Sequence, residues 1–488
     1  MINRLKELLF QNKGARQTVA KNVFWLSISQ IGSRFIRAII IIYAARILGA
    51  AEYGIFSYIL GLAGFFTIFS NVGVDTILTR EASHQKESAP KYFANAFWIK
   101  IFFLSITAVA IIFFAPYFSN IKGAETLLPL IAVLIFFDNI RELCVAYFRA
   151  QEKMEYEALV TTFTNISITV FGFLILAKFK TSQAVTIMYI SGAGAGMFLA
   201  AYIIRREFKK VFRNFSTKLI KEILNASWAV SLYGIAASFM LNTDVVMLGW
   251  FRSANEIGFY SAGQRIILIL YTLPTIFASS TFPLLARLIK NSSHAQIRIL
   301  TEKILLLIFL MAIPLCVGGA ILGKSIMYSL YGGDYVAGAI AFQILSLAII
   351  FVFPTIALGN LILGFNQQKK MTIYVMVASL SNIVFNAALI PFYGIAGAAI
   401  ATVFAQGLYN WLMWRFSKKL TPFYVISQLK KIAVASLFMG IFAFTLQQIG
   451  INVFLIIAAS VMLYFSLLYL FKEPAMEDVK IFIKALKK

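Results

Sequence analysis

Arg34 and Arg37 stand three residues apart inside an otherwise apolar stretch, a spacing that puts both guanidinium groups on one face of a helix. An ionisable group at the bilayer centre costs about 2.5 to 3.5 kcal/mol on insertion scales, so each needs a partner, a wet cavity or a function. Two fixed cations without a carboxylate on their own helix could grip a phosphate or pyrophosphate with bidentate geometry that lysine lacks. They could equally form interhelical ion pairs with Asp138 or Glu142. Asp138, Arg141 and Glu142 lie within one turn of each other, which suits either a self-neutralised packing cluster or a proton relay. Arg265 could line a cleft or pair with Asp244, whereas Lys100 is expected to snorkel to the headgroups. Asp75, Arg80 and Glu81 read as mouth residues or plain loop charges. Asn382 and Asn386, four residues apart, with Thr402 nearby, offer amide and hydroxyl oxygens that a hard cation such as Na⁺ accepts, and Asp244 could add the negative charge. The same groups could instead hydrogen-bond neighbouring helices.

Elements able to hold these residues follow from composition. Of 488 residues 60% are hydrophobic and only 13% charged, about half the usual supply, so water cannot be the solvent for most of the chain. An all-α integral membrane protein remains. Runs near 20 apolar residues give fourteen spans. Nine are uncharged: 53–74, 158–177, 181–204, 304–322, 335–365, 371–391, 393–414, 432–450 and 451–471. Five carry or adjoin a charge: 22–46, 92–116, 125–148, 223–250 and 257–286.

The net charge of +24 would suggest nucleic acid in a soluble protein, but its placement argues for membrane orientation. With the N-terminus inside, outer loops hold six cations (Arg46, Lys122, Lys178, Lys180, Arg252 and Lys324), five lie within spans, and the inner side holds 33 of the 44 Lys and Arg. Both termini are therefore expected in the cytoplasm, and the basic tail from Ala475 to Lys488 lies on the anionic leaflet or is solvated. Arg34 and Arg37 interrupt the first apolar run and argue against a cleaved signal peptide. Cys144 and Cys316 supply no disulfide framework, His84 and His294 are isolated, and no Walker motif is present. The glycines at 192, 194 and 196 fit close helix contact, and prolines at 274, 283, 314, 354 and 391 are expected to kink helices.

Internal repetition organises the spans. Glu52, Gly54 and Ser57 recur as Glu256, Gly258 and Ser261, 204 residues on, and Phe148 to Met154 is echoed by Phe365 to Met371, 217 residues on. Six spans separate the copies, so the halves point the same way: two six-helix bundles related by a pseudo-two-fold along the membrane normal, plus two C-terminal helices. The expected domains are 1–213, 214–420 and 421–488.

The run Ala45 to Ser57, continuing through Asn71-Val72-Gly73-Val74-Asp75 to Thr79-Arg80-Glu81, resembles the signature of polysaccharide-repeat (Wzx-type) flippases of the MOP superfamily, which includes lipid II flippases and MATE exporters. Tyr331 to Tyr335, Leu389-Ile390-Pro391 and Gly394 to Thr402 are similar to its second-half pattern. The resemblance implies a non-enzymatic transporter that flips an undecaprenyl-pyrophosphate-linked oligosaccharide from inner to outer leaflet of the cytoplasmic membrane by alternating access. Arg34, Arg37 and Arg265 become expected headgroup contacts, and Asp138 and Arg141 join them as candidate substrate-binding residues. Asp244, Asn382, Asn386 and Thr402 occupy places similar to a sodium site in cation-coupled relatives, with sodium or a proton as coupling ion and no other cofactor or metal. A second carboxylate of some relatives is replaced here by Asn386. Membrane lipids and other glycan-assembly proteins are the expected partners, and nucleic acid is not. The rival functions are a MATE-type drug or cation antiporter, for which a carboxylate-rich cavity is expected, and a lipid II flippase. A membrane glycosyltransferase would need paired carboxylates in a sizeable outer loop, and the outer loops are too short.

Overall fold

A computed structural model describes residues 15–67, 69–70, 72–291 and 293–474, and every regular element among them is helical. The expected tail at Ala475 to Lys488 lies outside the described residues, as does Asn71 of the signature. Contacts divide the chain into two compact units, Met1–Gly258 and Phe259–Lys488. The first holds α1 (Ala15–Phe66), α2 (Val74–His84), α3 (Ala89–Val109), α4 (Leu128–Ala150), α5 (Met154–Leu176), α6 (Ser182–Ile203) and α7 (Thr217–Phe251). Helix α8 (Ala254–Leu270) straddles the division, and the second unit continues with α9 (Thr272–Lys290), α10 (His294–Tyr331), α11 (Ala339–Leu347) and α12 (Ile349–Gly364). It closes with α13 (Gln368–Leu420), α14 (Lys430–Gln448) and α15 (Val453–Leu470).

Among the described residues ten helical stretches are long and apolar enough to cross a membrane. The expected span 125–148 is not one of them, because α4 carries Asp138, Arg141, Glu142 and Arg149. The expected span 257–286 is divided at Tyr271 into helices of 17 and 19 residues. The expected span 53–74 is also discontinuous, since α1 stops at Phe66 and α2 starts at Val74.

Two of the stretches are folded back on themselves. Helix α1 is non-helical at Gly49 (φ 73°) and α13 at Gly394 (φ 54°), conformations that a β-carbon disfavours. A straight helix would separate Arg37 from Phe56 by about 28 Å. Yet the Arg37 guanidinium lies 5.6 Å from the Tyr189 ring and the Phe56 ring 5.4 Å from the same ring, so the arms of α1 reverse. In α13 the ring pairs Phe385 with Phe404 at 5.3 Å and Tyr374 with Phe416 at 6.0 Å are both centred on the bend, which makes its arms an antiparallel hairpin.

Repetition is visible in the backbone. Helices α4 and α12 end at Ala150 and Gly364, and α5 and α13 begin at Met154 and Gln368; 364 − 150 and 368 − 154 both give 214. Glu152 (φ 57°) and Asn366 (φ 58°) carry the same left-handed cap, closed by Lys153 N to Phe148 O at 3.0 Å and Gln367 N to Ile362 O at 3.1 Å. The structural offset is therefore three residues less than the match of letters suggested, because backbone capping, not the Phe and Met side chains, is what recurs. The first echo meets itself: a β-carbon on Gly54 would strike the Ala254 carbonyl, and one on Gly258 would strike that of Ala50. The glycines of α6 behave as expected, since β-carbons at Gly192 and Gly196 would collide with Ile168 and Thr164 of α5.

Candidate functional site

In the first unit the bend at Gly49 brings the arm bearing Arg34 and Arg37 against α6. Arg34 is exposed and Arg37 half-buried, its guanidinium resting on Tyr189. The Arg37 Nε is buried and has no hydrogen-bond partner among the described residues. Neither arginine forms an ion pair among these residues, so the alternative pairing with Asp138 or Glu142 is not made. Arg141 takes both carboxylates, at 3.0 Å to Asp138 Oδ1 and 2.8 Å to Glu142 Oε1. The compact cluster anticipated on α4 is the arrangement that forms, and a guanidinium with two acidic neighbours within one turn needs no help from another helix.

That cluster borders a polar cavity of about 400 Å³ lined by Thr67, Asp75, Thr76, Asp138, Asn139, Glu142 and Arg149. Lys100 corrects an expectation here. It does not snorkel: its side chain is fully buried, and Nζ donates to Asp75 Oδ2 at 2.6 Å and to the Asn139 carbonyl at 3.0 Å. The break after Phe66 explains the pairing, because Asp75 then sits in the first turn of α2, where a carboxylate also meets the positive end of the helix. Sequence reasoning missed the pair, although a buried lysine requires a counter-charge and Asp75 lies where the second apolar run ends. Two further pairs fix the approach to α5. Arg149 forms a fork with both Glu157 oxygens at 2.8 and 2.5 Å, and buried Lys21 reaches Glu155 at 2.8 Å.

Asp244 is buried on α7 in the first unit. Asn382, Asn386 and Thr402 belong to the second, each on one of the two arms of α13. Both asparagines are fully buried, Asn386 Nδ2 donates to Asn382 Oδ1 at 3.0 Å, and the Thr402 hydroxyl lies 3.5 Å from that of Tyr260. Arg265 is half-buried on α8. Among the described residues no three His, Cys, Asp or Glu side chains converge as a metal site.

The second unit also contains an apolar crevice of about 500 Å³. It runs along α10 from Leu310 to Ile326, about 24 Å of helix, and its far wall is α14 and α15 through Met439, Ile457 and Phe465. Small side chains at Gly318, Gly319 and Ala443 leave the space. Spacing of charges could not reveal it, because no charged residue lines it.

Residues 19–289 match the polysaccharide biosynthesis protein family. The chain belongs to that family. Among its curated relatives is the probable low-salt glycan biosynthesis flippase Agl15 of Haloferax volcanii, 22% identical over 384 residues, covering 79% of this chain and 80% of the relative. The fold of this family member resembles that of a lipid II flippase, MurJ, in an inward closed conformation, with TM-score 0.73, 18% identity and coverage of 95% and 99%. It also resembles an inward-facing MATE multidrug resistance transporter of the MOP superfamily, with TM-score 0.67, 14% identity and coverage of 84% and 99%. The resemblance seen in Ala45 to Glu81 and in the second-half pattern is thereby borne out at the level of the family and of the superfamily fold.

Proposed function

We propose that this family member moves an undecaprenyl-pyrophosphate-linked oligosaccharide from the inner to the outer leaflet of the cytoplasmic membrane by alternating access. The carrying observation is the pair Arg34 and Arg37: one exposed and one braced on Tyr189, neither matched by a carboxylate among the described residues. Guanidinium groups left without counter-charge on an apolar helix suit a diphosphate, and they disfavour the cationic cargo of a MATE-type antiporter. The largely apolar crevice between α10 and the last two helices supports a lipid portion, since a polyprenyl chain suits a long apolar wall without charges. A relative whose name is a glycan biosynthesis flippase, and the lipid II flippase fold, support the saccharide.

In this reading the hairpins at Gly49 and Gly394 raise the ten stretches to twelve, and α4 and the broken pair α8 and α9 add one crossing each to make fourteen, in bundles 1–213 and 214–420 with two extra helices in 421–488, and both termini are cytoplasmic. The reciprocal approach of Ala50 and Gly54 to Ala254 and Gly258 is the contact that a pseudo-two-fold axis would produce. Asn382, Asn386 and Thr402 on α13, and Asp244 on α7, are the residues this reading assigns to cation coupling. Their carboxylate, amide and hydroxyl oxygens are the donor types that Na⁺ takes.

The test is leaflet translocation of a labelled undecaprenyl-pyrophosphate saccharide in vesicles. Arg34→Ala with Arg37→Ala is expected to slow it roughly tenfold or more, as loss of charge-assisted contacts to the headgroup predicts. Wild-type rates in that variant would remove the assigned role.

A further inference from the structure

We propose that residues 204–221, the segment joining α6 to α7 together with the first turn of α7, form a folded docking surface for anionic phospholipid headgroups. Orientation alone asks nothing of this segment beyond positive charge, and a loose loop would supply that. The segment is instead built. Ile204 and Val211 are buried, and the Phe208 ring packs edge-on to Phe93 and Phe97 of α3 at 5.2 and 5.6 Å. Buried Asn95 then clamps the chain in both senses: its Nδ2 donates to the Asn214 carbonyl at 2.9 Å and its Oδ1 accepts from Ser216 N at 2.8 Å.

What this framework holds outward is a row of cations. Arg205, Arg206, Lys209, Lys210, Arg213, Lys218 and Lys221 are all exposed. Lys210 stands 3.8 Å from Glu207 and Arg205 stacks 4.5 Å over Tyr202; the other five have no ion-pair partner among the described residues. Between them Phe212 is 80% exposed and Phe215 50%, and both rings stand against Trp98, at 5.1 and 6.5 Å. The exposed Phe rings beside Trp98 gain by leaving bulk water, and the unpaired Lys and Arg around them gain a counter-charge where lipid phosphates supply one. The combination matches the headgroup layer, where aromatic rings sit at the boundary and cations meet lipid phosphates. The charge complement and the aromatic edge together select a lipid surface of net negative charge as the occupant.

The experiment uses the full chain in phosphatidylcholine nanodiscs containing spin-labelled phosphatidylglycerol or spin-labelled phosphatidylcholine, with the motionally restricted fraction read by electron paramagnetic resonance. The wild type is expected to prefer phosphatidylglycerol about threefold or more at low salt, and high salt should erase the preference. Arg206→Gln, Lys209→Gln, Arg213→Gln and Lys218→Gln combined should bring the ratio close to one without shifting the thermal midpoint, because the changed side chains are exposed. An equal loss of charge elsewhere, Lys369, Lys370, Lys418 and Lys419 to Gln, should leave most of the preference. The proposal is overturned if the wild type shows no preference, if the linker variant keeps it, or if the control loses as much. A linker variant that keeps lipid preference but loses function in cells would also overturn it, and would indicate a protein partner at this surface.

Discussion

The interiors of the two units solve the same problem with different chemistry. The first holds ion pairs beside its amides: Lys100 with Asp75, Arg141 between Asp138 and Glu142, Arg149 with Glu157, and Lys21 with Glu155. Inside the second, polarity is carried by amides. Asn386 bonds Asn382, Asn360 the Ala278 carbonyl, Gln343 the Ala320 carbonyl, and Asn410 the Phe351 carbonyl with the Thr355 hydroxyl. The ion pair found in the second unit among the described residues, Arg298 with Glu302, lies near the start of α10 and is partly exposed. The left-handed caps at Glu152 and Asn366 thus recur between helix ends of the same spacing, while the polar groups of the two units differ. A buried charge commits its partner, because losing either leaves the other unpaired, whereas an amide can lose one bond and keep others.

Lys100→Met tests that contrast at its strongest point. It removes the counter-charge of Asp75 at the edge of the polar cavity, and breaking a fully buried pair costs up to about 3 to 5 kcal/mol, which thermal unfolding in detergent should register as a drop in midpoint. Adding Asp75→Asn should recover most of the loss, as removing both charges removes the mismatch. If Lys100→Met is no worse than a change at an amide of the second unit, the division into ionic and amide interiors carries no energetic meaning.

Gly394→Ala comes next. The bend (φ 54°, ψ −130°) lies in a region that is essentially glycine's alone, so a β-carbon there should cost about 1 to 3 kcal/mol. The expected readout is a lower midpoint, with the pairs Phe385 to Phe404 and Tyr374 to Phe416 loosened in crosslinking of cysteines placed there. An unchanged midpoint would mean the hairpin tolerates another turn geometry.

What could be read from the sequence divides along the same physical line. Hydropathy reports how long a helix can be, so the uncharged runs on α5, α6, α14 and α15 are legible. It is blind to a local break such as the one between Phe66 and Val74, where the residues remain apolar enough to pass for one span. Charges within one turn reveal their own pairing, which is why Asp138, Arg141 and Glu142 were readable as a unit. Lys100 and Asp75 are 25 residues apart on different helices, and only packing brings them together. The apolar crevice is illegible for a related reason: it is defined by side chains that are small, on helices distant in sequence.

The smallest expected effect is at Asn386. Replacing it with Ala removes one buried amide donor from Asn382, and interhelical polar contacts in membrane proteins average about 0.6 kcal/mol with a ceiling near 1.7. The midpoint should therefore move little, far less than for Lys100→Met. Sodium dependence of translocation supplies the sharper measurement, because an amide that only packs would leave it unchanged while one that coordinates a cation would abolish it. Asn386→Asp separates these again. A carboxylate beside Asn382 adds a negative charge to a buried pair of amides, so it should strengthen cation dependence if the coupling site is real. If the aspartate merely destabilises the fold and leaves sodium dependence unaltered, the amides of α13 serve packing alone and coupling must be sought among the charged groups of the first unit.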